Sequence, residues 1–328
     1  MRSIKKVLFC SVVLSLLSFS VSAQGKMPTE TRNAALRYWM AFADMQDPPA
    51  DEATRKLLES TVSGDIPWDE AKLGALIQQN DAAIQEMQRA AELPDCDWGL
   101  EYSQGPRASI AFMMKARALA RLNTLHGLRQ AAHGDSQAAM KSWMAGVKFS
   151  RDLAKGGTLI FALVARAALL SDLNALQKAA ERGLLDAHTR KQAALELNSL
   201  PETGFDWGNS WEMETFVIEN GWDSILKAKD PREMYKAIVG EELSANYQLP
   251  APADLAAFRA FMDEIASELK HPPEVARGRL EVLRGREKTL NLMLQNSIPN
   301  FEKVNGNREE VKSAREAALR ALNSAPQK

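Results

Sequence analysis

Residues 123–149 read NTLHGLRQAAHGDSQAAMKSWMAGVKF, and the way this stretch turns decides the fold. A run of helix formers stops at Gly134, and Asp135 or Ser136 caps the run that follows, so two helices succeed one another across a tight turn. The same punctuation recurs outward in both directions. Upstream, Thr29 to Met45 reads as a first helix closed by Asp47-Pro48-Pro49, and Asp51 caps a second that ends near Gly64. Pro67 sits in the first turn of a third helix running to Leu93, and Pro106 opens the one that Gly134 ends. Downstream, Gly156-Gly157 closes the second arm of the turn, Thr158 to Arg182 forms a long helix stopped by Gly183, and Asp186 caps another that ends at Leu200-Pro201. Further helical stretches are expected near 210–229, 231–246, 253–270, 273–294 and 308–322. Period-two runs of β-branched residues are scarce, so the expected class is all-α, a multi-helix bundle or irregular α-solenoid with no sheet.

The opening stretch also resembles one tetratricopeptide unit. Gly127 stands where the first helix of such a hairpin needs a small residue, Gly134-Asp135 makes the turn, and Ala139, Trp143 and Gly146 follow at the small, large, small spacing of the second helix. The resemblance implies that Trp143 is buried between the two helices, with Gly127 and Gly146 making room for it. Departures are visible: His126 and Gln130 occupy positions usually large and apolar, the closing Pro is missing, and no second copy appears at the 34-residue period. The wider run from Asn33 to Trp39, through Asp97-Trp98-Gly99, to Lys115-Ala116-Arg117 is similar to exported helical proteins of environmental bacteria. That likeness implies a compartment and a fold and carries no chemistry.

The N-terminus points to the same compartment. Arg2, Lys5 and Lys6 precede a short apolar core from Val7 to Leu17, and Val21 and Ala23 place small residues where signal peptidase reads them, so cleavage is expected after Ala23. The apolar core is too short to serve as a permanent anchor, and no cysteine follows the cleavage point to accept a lipid. The expected location is the periplasm or the medium, with no stable membrane anchor after cleavage. Loss of the three leader cations leaves 38 basic against 42 acidic side chains, a balance that attracts neither nucleic acid nor an anionic membrane. Only Cys96 survives cleavage, so stability rests on an apolar core without a disulfide. The chain divides by sequence into a leader at 1–23, an N-terminal helical region at 24–200 and a C-terminal helical region at 201–328, packed on the first. Two Leu-Pro breaks, at Leu93-Pro94 and Leu200-Pro201, each precede an Asp-Trp-Gly, at Asp97-Trp98-Gly99 and Asp206-Trp207-Gly208. They read either as traces of a duplication or as two unrelated turns with a packed Trp.

Chemistry-bearing motifs are few. His126 and His133 lie seven apart, two turns of helix and too far to share one ion; HExxH, paired-cysteine and calcium-loop patterns are absent, so no metal, cofactor or catalytic residue is assigned. The most suggestive segment runs from Phe205 to Asp223. At helical spacing Trp211, Thr215, Ile218, Trp222 and Ile225 share one stripe, bordered by Glu212, Glu219 and Asp223, with Trp207 just ahead. An indole and carboxylate border of this kind suits a sugar or a cationic ligand. The simpler expectation is that the Trp stripe is core and the carboxylates are solvated, and Asn220-Gly221 could interrupt the helix. The expected function is therefore a non-catalytic scaffold of the bacterial envelope that holds a protein or peptide partner, with a glycan-binding or glycoside-processing role for segment 205–223 as the alternative.

Overall fold

The computed structural model describes residues 31–107, 110–243 and 247–324. The expected leader and the expected cleavage point after Ala23 lie outside them. Among the described residues the chain forms fourteen α-helices, one 3₁₀ segment and no sheet. The helices are α1 (Ala34–Asp44), α2 (Glu52–Val62), α3 (Glu70–Gln79), α4 (Asp81–Ala91), α5 (Met113–Ala132), α6 (Ser136–Ala154), α7 (Leu159–Glu181) and α8 (Ala187–Asn198). After them come α9 (Trp207–Leu226), α10 (Pro231–Val239), α11 (Pro252–Glu268), α12 (Pro273–Glu287), α13 (Leu292–Gln295) and α14 (Phe301–Asn323).

Aspartate caps begin six of the fourteen helices among the described residues. The side chains of Asp51, Asp135, Asp186 and Asp206 accept backbone N–H groups two or three residues into α2, α6, α8 and α9, at 2.8–2.9 Å. A carboxylate there satisfies an otherwise orphaned donor and meets the positive end of the helix dipole. Gly134 and Gly183 end α5 and α7 at φ +85° and +68°, the left-handed region that costs glycine little.

Helices α5, α6 and α7 pack mutually, α4 lies against α1 and α6, and α14 runs along α7 and α8. The last of these contacts joins the regions before and after residue 200, so both contribute to one apolar core, in which Leu173, Leu176, Phe301 and Val311 are buried. Helix α7 is long and apolar enough to cross a membrane by length and composition alone. Its packing against four helices, α5, α6, α9 and α14, accounts for the same composition, since a helix surrounded by neighbours is apolar on every side.

Several boundaries differ from expectation for identifiable reasons. The helix expected from Pro67 to Leu93 is two, because the buried side chain of Asn80 accepts from the Gln46 backbone and donates to Leu76 O, breaking the ladder between α3 and α4. Asp69, not Pro67, starts α3. Pro106 falls in the 3₁₀ segment Tyr102–Arg107, and α5 starts only at Met113. Asn220-Gly221 does not interrupt α9. The missing side chain of Gly105 lets its backbone approach α9, since a Cβ there would sit 3.2 Å from Gly221 N.

The two Asp-Trp-Gly segments are not equivalent. Asp97 accepts from Gly99 N in a turn outside any helix, with Gly99 at φ +64°. Asp206 instead caps α9, with Trp207 and Gly208 already helical. Trp98 stacks with Phe112 at 5.1 Å and Tyr38 at 5.6 Å, whereas Trp207 stacks on Phe205 at 4.8 Å.

Candidate functional site

The hairpin of α5 and α6 closes as the spacing predicts at one glycine and differently at the other. Trp143 is fully buried, its Nε1 donates to Thr124 O at 3.2 Å, and a side chain on Gly127 would fall inside the indole ring. Gly146 makes room for another residue, because a Cβ there would collide with the carboxylate of Asp172 on α7. The sequence could not show this, since Asp172 lies 26 positions away on a third helix.

Asp172 is completely buried among α5, α6 and α7. Burial pushes its carboxyl well above the usual carboxylate range, with the Thr124 hydroxyl opposing the shift. The hydrogen bonding gives independent support for a neutral acid. Thr124 Oγ1 lies 2.7 Å from Asp172 Oδ1 and 3.1 Å from Ala120 O, but a hydroxyl carries one proton. A protonated Asp172 resolves the shortage by donating to Thr124, which then donates to Ala120 O. The other oxygen, Oδ2, has no partner. A group whose folded value is raised contributes stability that is fully present below its unfolded value, about 4, and is lost as pH rises toward the folded value. The stability difference between the protein and Asp172→Asn should therefore shift by up to about 1.4 kcal/mol per pH unit above pH 4, to the disadvantage of the native sequence. Urea unfolding of both at pH 4, 5.5 and 7 checks this, and a difference constant with pH would show that Asp172 is charged when folded.

The two hairpin positions that depart from the tetratricopeptide pattern join a polar network. His126 Nδ1 lies 2.9 Å from Ser142 Oγ and its Nε2 lies 3.2 Å from Gln130 Nε2, while Gln88 Nε2 reaches both Asn123 Oδ1 and Ser142 Oγ. Burial lowers the His126 pKa, so the ring is held neutral by its surroundings. His133 instead pairs with Glu70 at 3.4 Å. Among the described residues no three His, Cys, Asp or Glu side chains gather in a metal-ligating group. Burial and the Asp152 charge push the Cys96 thiol up to about 12, which leaves little thiolate for chemistry.

Segment 205–223 turns its indoles into the core and its acidic row toward cations. Trp207, Trp211 and Trp222 are all buried, and their Nε1 groups donate to Thr203 O, Met262 O and Ser297 Oγ. Indole faces inside the core offer no stacking platform. Each carboxylate of the acidic row has a cation: Glu212 meets Lys270 at 2.6 Å, Glu219 meets Arg259 at 2.7 Å and Asp223 meets Lys227 at 2.7 Å. A pocket of about 300 Å³ does bring Glu212 near Asp263 of α11, but Arg259 and Lys270 line it as well and Phe216 is its one aromatic. The segment holds a role that helical periodicity misses. Glu214 Oε2 accepts from Leu159 N at 3.1 Å, so a carboxylate from α9 caps α7 in place of Thr158, whose side chain makes no such bond.

A larger concavity than the one beside Glu212 lies between α4, α6 and α8. It is an open groove of about 650 Å³. Ala91, Ala138, Met140, Met144 and Ala145 form an apolar strip, and Glu92, Lys141, Gln192 and Glu196 line it alongside. Lys141 pairs with Glu92 across the groove at 3.1 Å. Two adaptable Met side chains between small Ala residues leave a shape that an incoming side chain can remodel. No protein-family model, curated protein or solved structure matches the chain.

Proposed function

We propose that the protein is a non-catalytic interaction scaffold of the bacterial envelope, which binds a peptide or protein segment in the groove between α4, α6 and α8. The observation that carries this reading is the groove itself: apolar at Met140 and Met144, bordered by charges of both signs, and open along the helices. Helical hairpins that pack in sequence leave concave faces suited to extended or helical partners. The export half of the proposal rests on the order of basic start, apolar run and small-residue exit in residues 1–23. The buried indoles and paired carboxylates of α9 give the glycan alternative no comparable support.

A photo-crosslinking amino acid at Met144 tests the reading in the producing bacterium. The expected result is a discrete crosslinked species, lost when Ala138→Trp fills the groove, on a chain whose intact mass begins at Gln24. Crosslinking unchanged by Ala138→Trp would remove the groove from the proposal, and a mass that retains Met1 would remove export.

A further inference from the structure

A second cavity of about 410 Å³ opens at the C-terminal end of α6 and meets the groove at one shared residue, Lys148. Its walls come from the two Leu-Pro breaks, Pro94 on one side and Pro201 to Phe205 on the other, and Asp206 and Asn209 contribute the first turn of α9. Its floor is the last two turns of α6. There Lys148, Arg151 and Lys155, spaced three and four apart, face one way.

Asp152 organises this floor from below. It is fully buried, and its carboxylate accepts from Tyr38 Oη at 3.0 Å, from Lys155 Nζ at 3.0 Å and from Lys148 Nζ. Its backbone oxygen takes the Trp98 Nε1 proton at 2.8 Å. The acid thus holds two ammonium groups at the cavity, with three donors on its two oxygens. An ammonium has three N–H donors, so each lysine keeps two after serving Asp152. Arg151 brings the five N–H groups of a guanidinium and makes no hydrogen bond or ion pair with any described residue. Against these donors stand the second oxygen of Asp206, whose first oxygen caps α9 through Asn209 N at 2.9 Å, the side-chain oxygen of Asn209 and the buried carboxylate of Asp152. The Asp206 carboxylate already meets the positive end of α9, so the pull on an anion comes from the three cationic side chains.

We propose that this cavity binds a small anion through carboxylate or phosphate oxygens, with Arg151 as the residue that takes them and Lys148 and Lys155 as flanking donors. A planar guanidinium matches two such oxygens side by side, and the volume admits a molecule of several heavy atoms. The site is chemically unlike the groove, whose floor is apolar and whose borders carry charges of both signs, so it needs no peptide partner to be occupied.

Calorimetric titration of the full chain with inorganic phosphate and, separately, with citrate at low ionic strength provides the test. Saturable binding of at least one probe is expected, weakened tenfold or more by Arg151→Gln and by a smaller factor in Arg151→Lys, which keeps the charge but loses the paired donors. The exposed Arg55→Gln serves as a charge-matched control and should bind as the native chain does. Phosphate alone, or citrate alone, would identify which oxygen chemistry the site accepts. Absence of saturable binding to either probe, or equal losses in Arg151→Gln and Arg55→Gln, overturns the proposal. Should Arg151→Gln not fold, Lys155→Gln replaces it, with a several-fold loss expected and an unchanged affinity counting against the site.

Discussion

Trp143→Ala should lower the stability of the protein by about 3–5 kcal/mol, the cost of removing a large aromatic from a close-packed interior. The indole fills the space that Gly127 leaves open, is fully buried, and anchors its one polar atom on Thr124 O across the hairpin. Truncation therefore removes transfer energy, leaves a cavity that neighbouring helices can only partly close, and deletes a buried hydrogen bond. Chemical denaturation of the two proteins checks it. A loss below about 1 kcal/mol would mean that α5 and α6 repack without the indole, and the hairpin would then not be the centre of the fold.

The second large effect is expected at Trp211, paired with a near-null effect beside it. Trp211 is also fully buried; its Nε1 donates to Met262 O of α11 at 3.1 Å and its ring meets Phe301 of α14 edge-on at 6.3 Å. Trp211→Ala should cost about 3–5 kcal/mol by the same argument. Glu212→Gln and Glu219→Gln should each stay within about 0.5 kcal/mol, because their ion pairs with Lys270 and Arg259 lie in solvent, where such pairs contribute little. Burial raises the Glu219 carboxyl although Arg259 opposes it, so neutralisation there removes a small penalty as well as a small attraction. Thermal melts with and without cell-wall oligosaccharides read both stability and binding. The opposite ordering, a cheap Trp211→Ala together with an oligosaccharide-dependent rise in melting temperature that the Glu variants abolish, would restore the glycan alternative.

The candidate sites were legible in the sequence to unequal degrees. The groove draws on Met140, Met144 and Lys141 of a helix whose existence was evident, but the neighbours that make it concave, α4 and α8, are brought there by packing. The anion cavity left a faint signal. Lys148 and Lys155 stand four before and three after Asp152, the spacing of one helix face, yet nothing local distinguishes this from a solvated ion-pair row. Only the burial of Asp152 by Tyr38 and Trp98 turns the row into a positioned set of donors. The Trp and acid segment was legible only as a stripe, because a row of indoles looks the same along the chain whether it faces a ligand or a core.

What the sequence determined by itself is whatever depends on a residue and its next few neighbours. Asp51, Asp135, Asp186 and Asp206 fix helix starts because a short carboxylate reaches only its own first turn, and Gly134 and Gly183 fix ends because they alone adopt the left-handed backbone cheaply there. The tertiary structure decided every feature in which a distant group takes over a local task. Asn80 splits a helix through a bond to Gln46, Glu214 caps α7 from α9, and Gly146 is small for Asp172 and not for Trp143. Each of these depends on which surfaces meet when the apolar faces are buried, and a hydrogen bond or a steric gap between remote residues leaves no periodic trace along the chain.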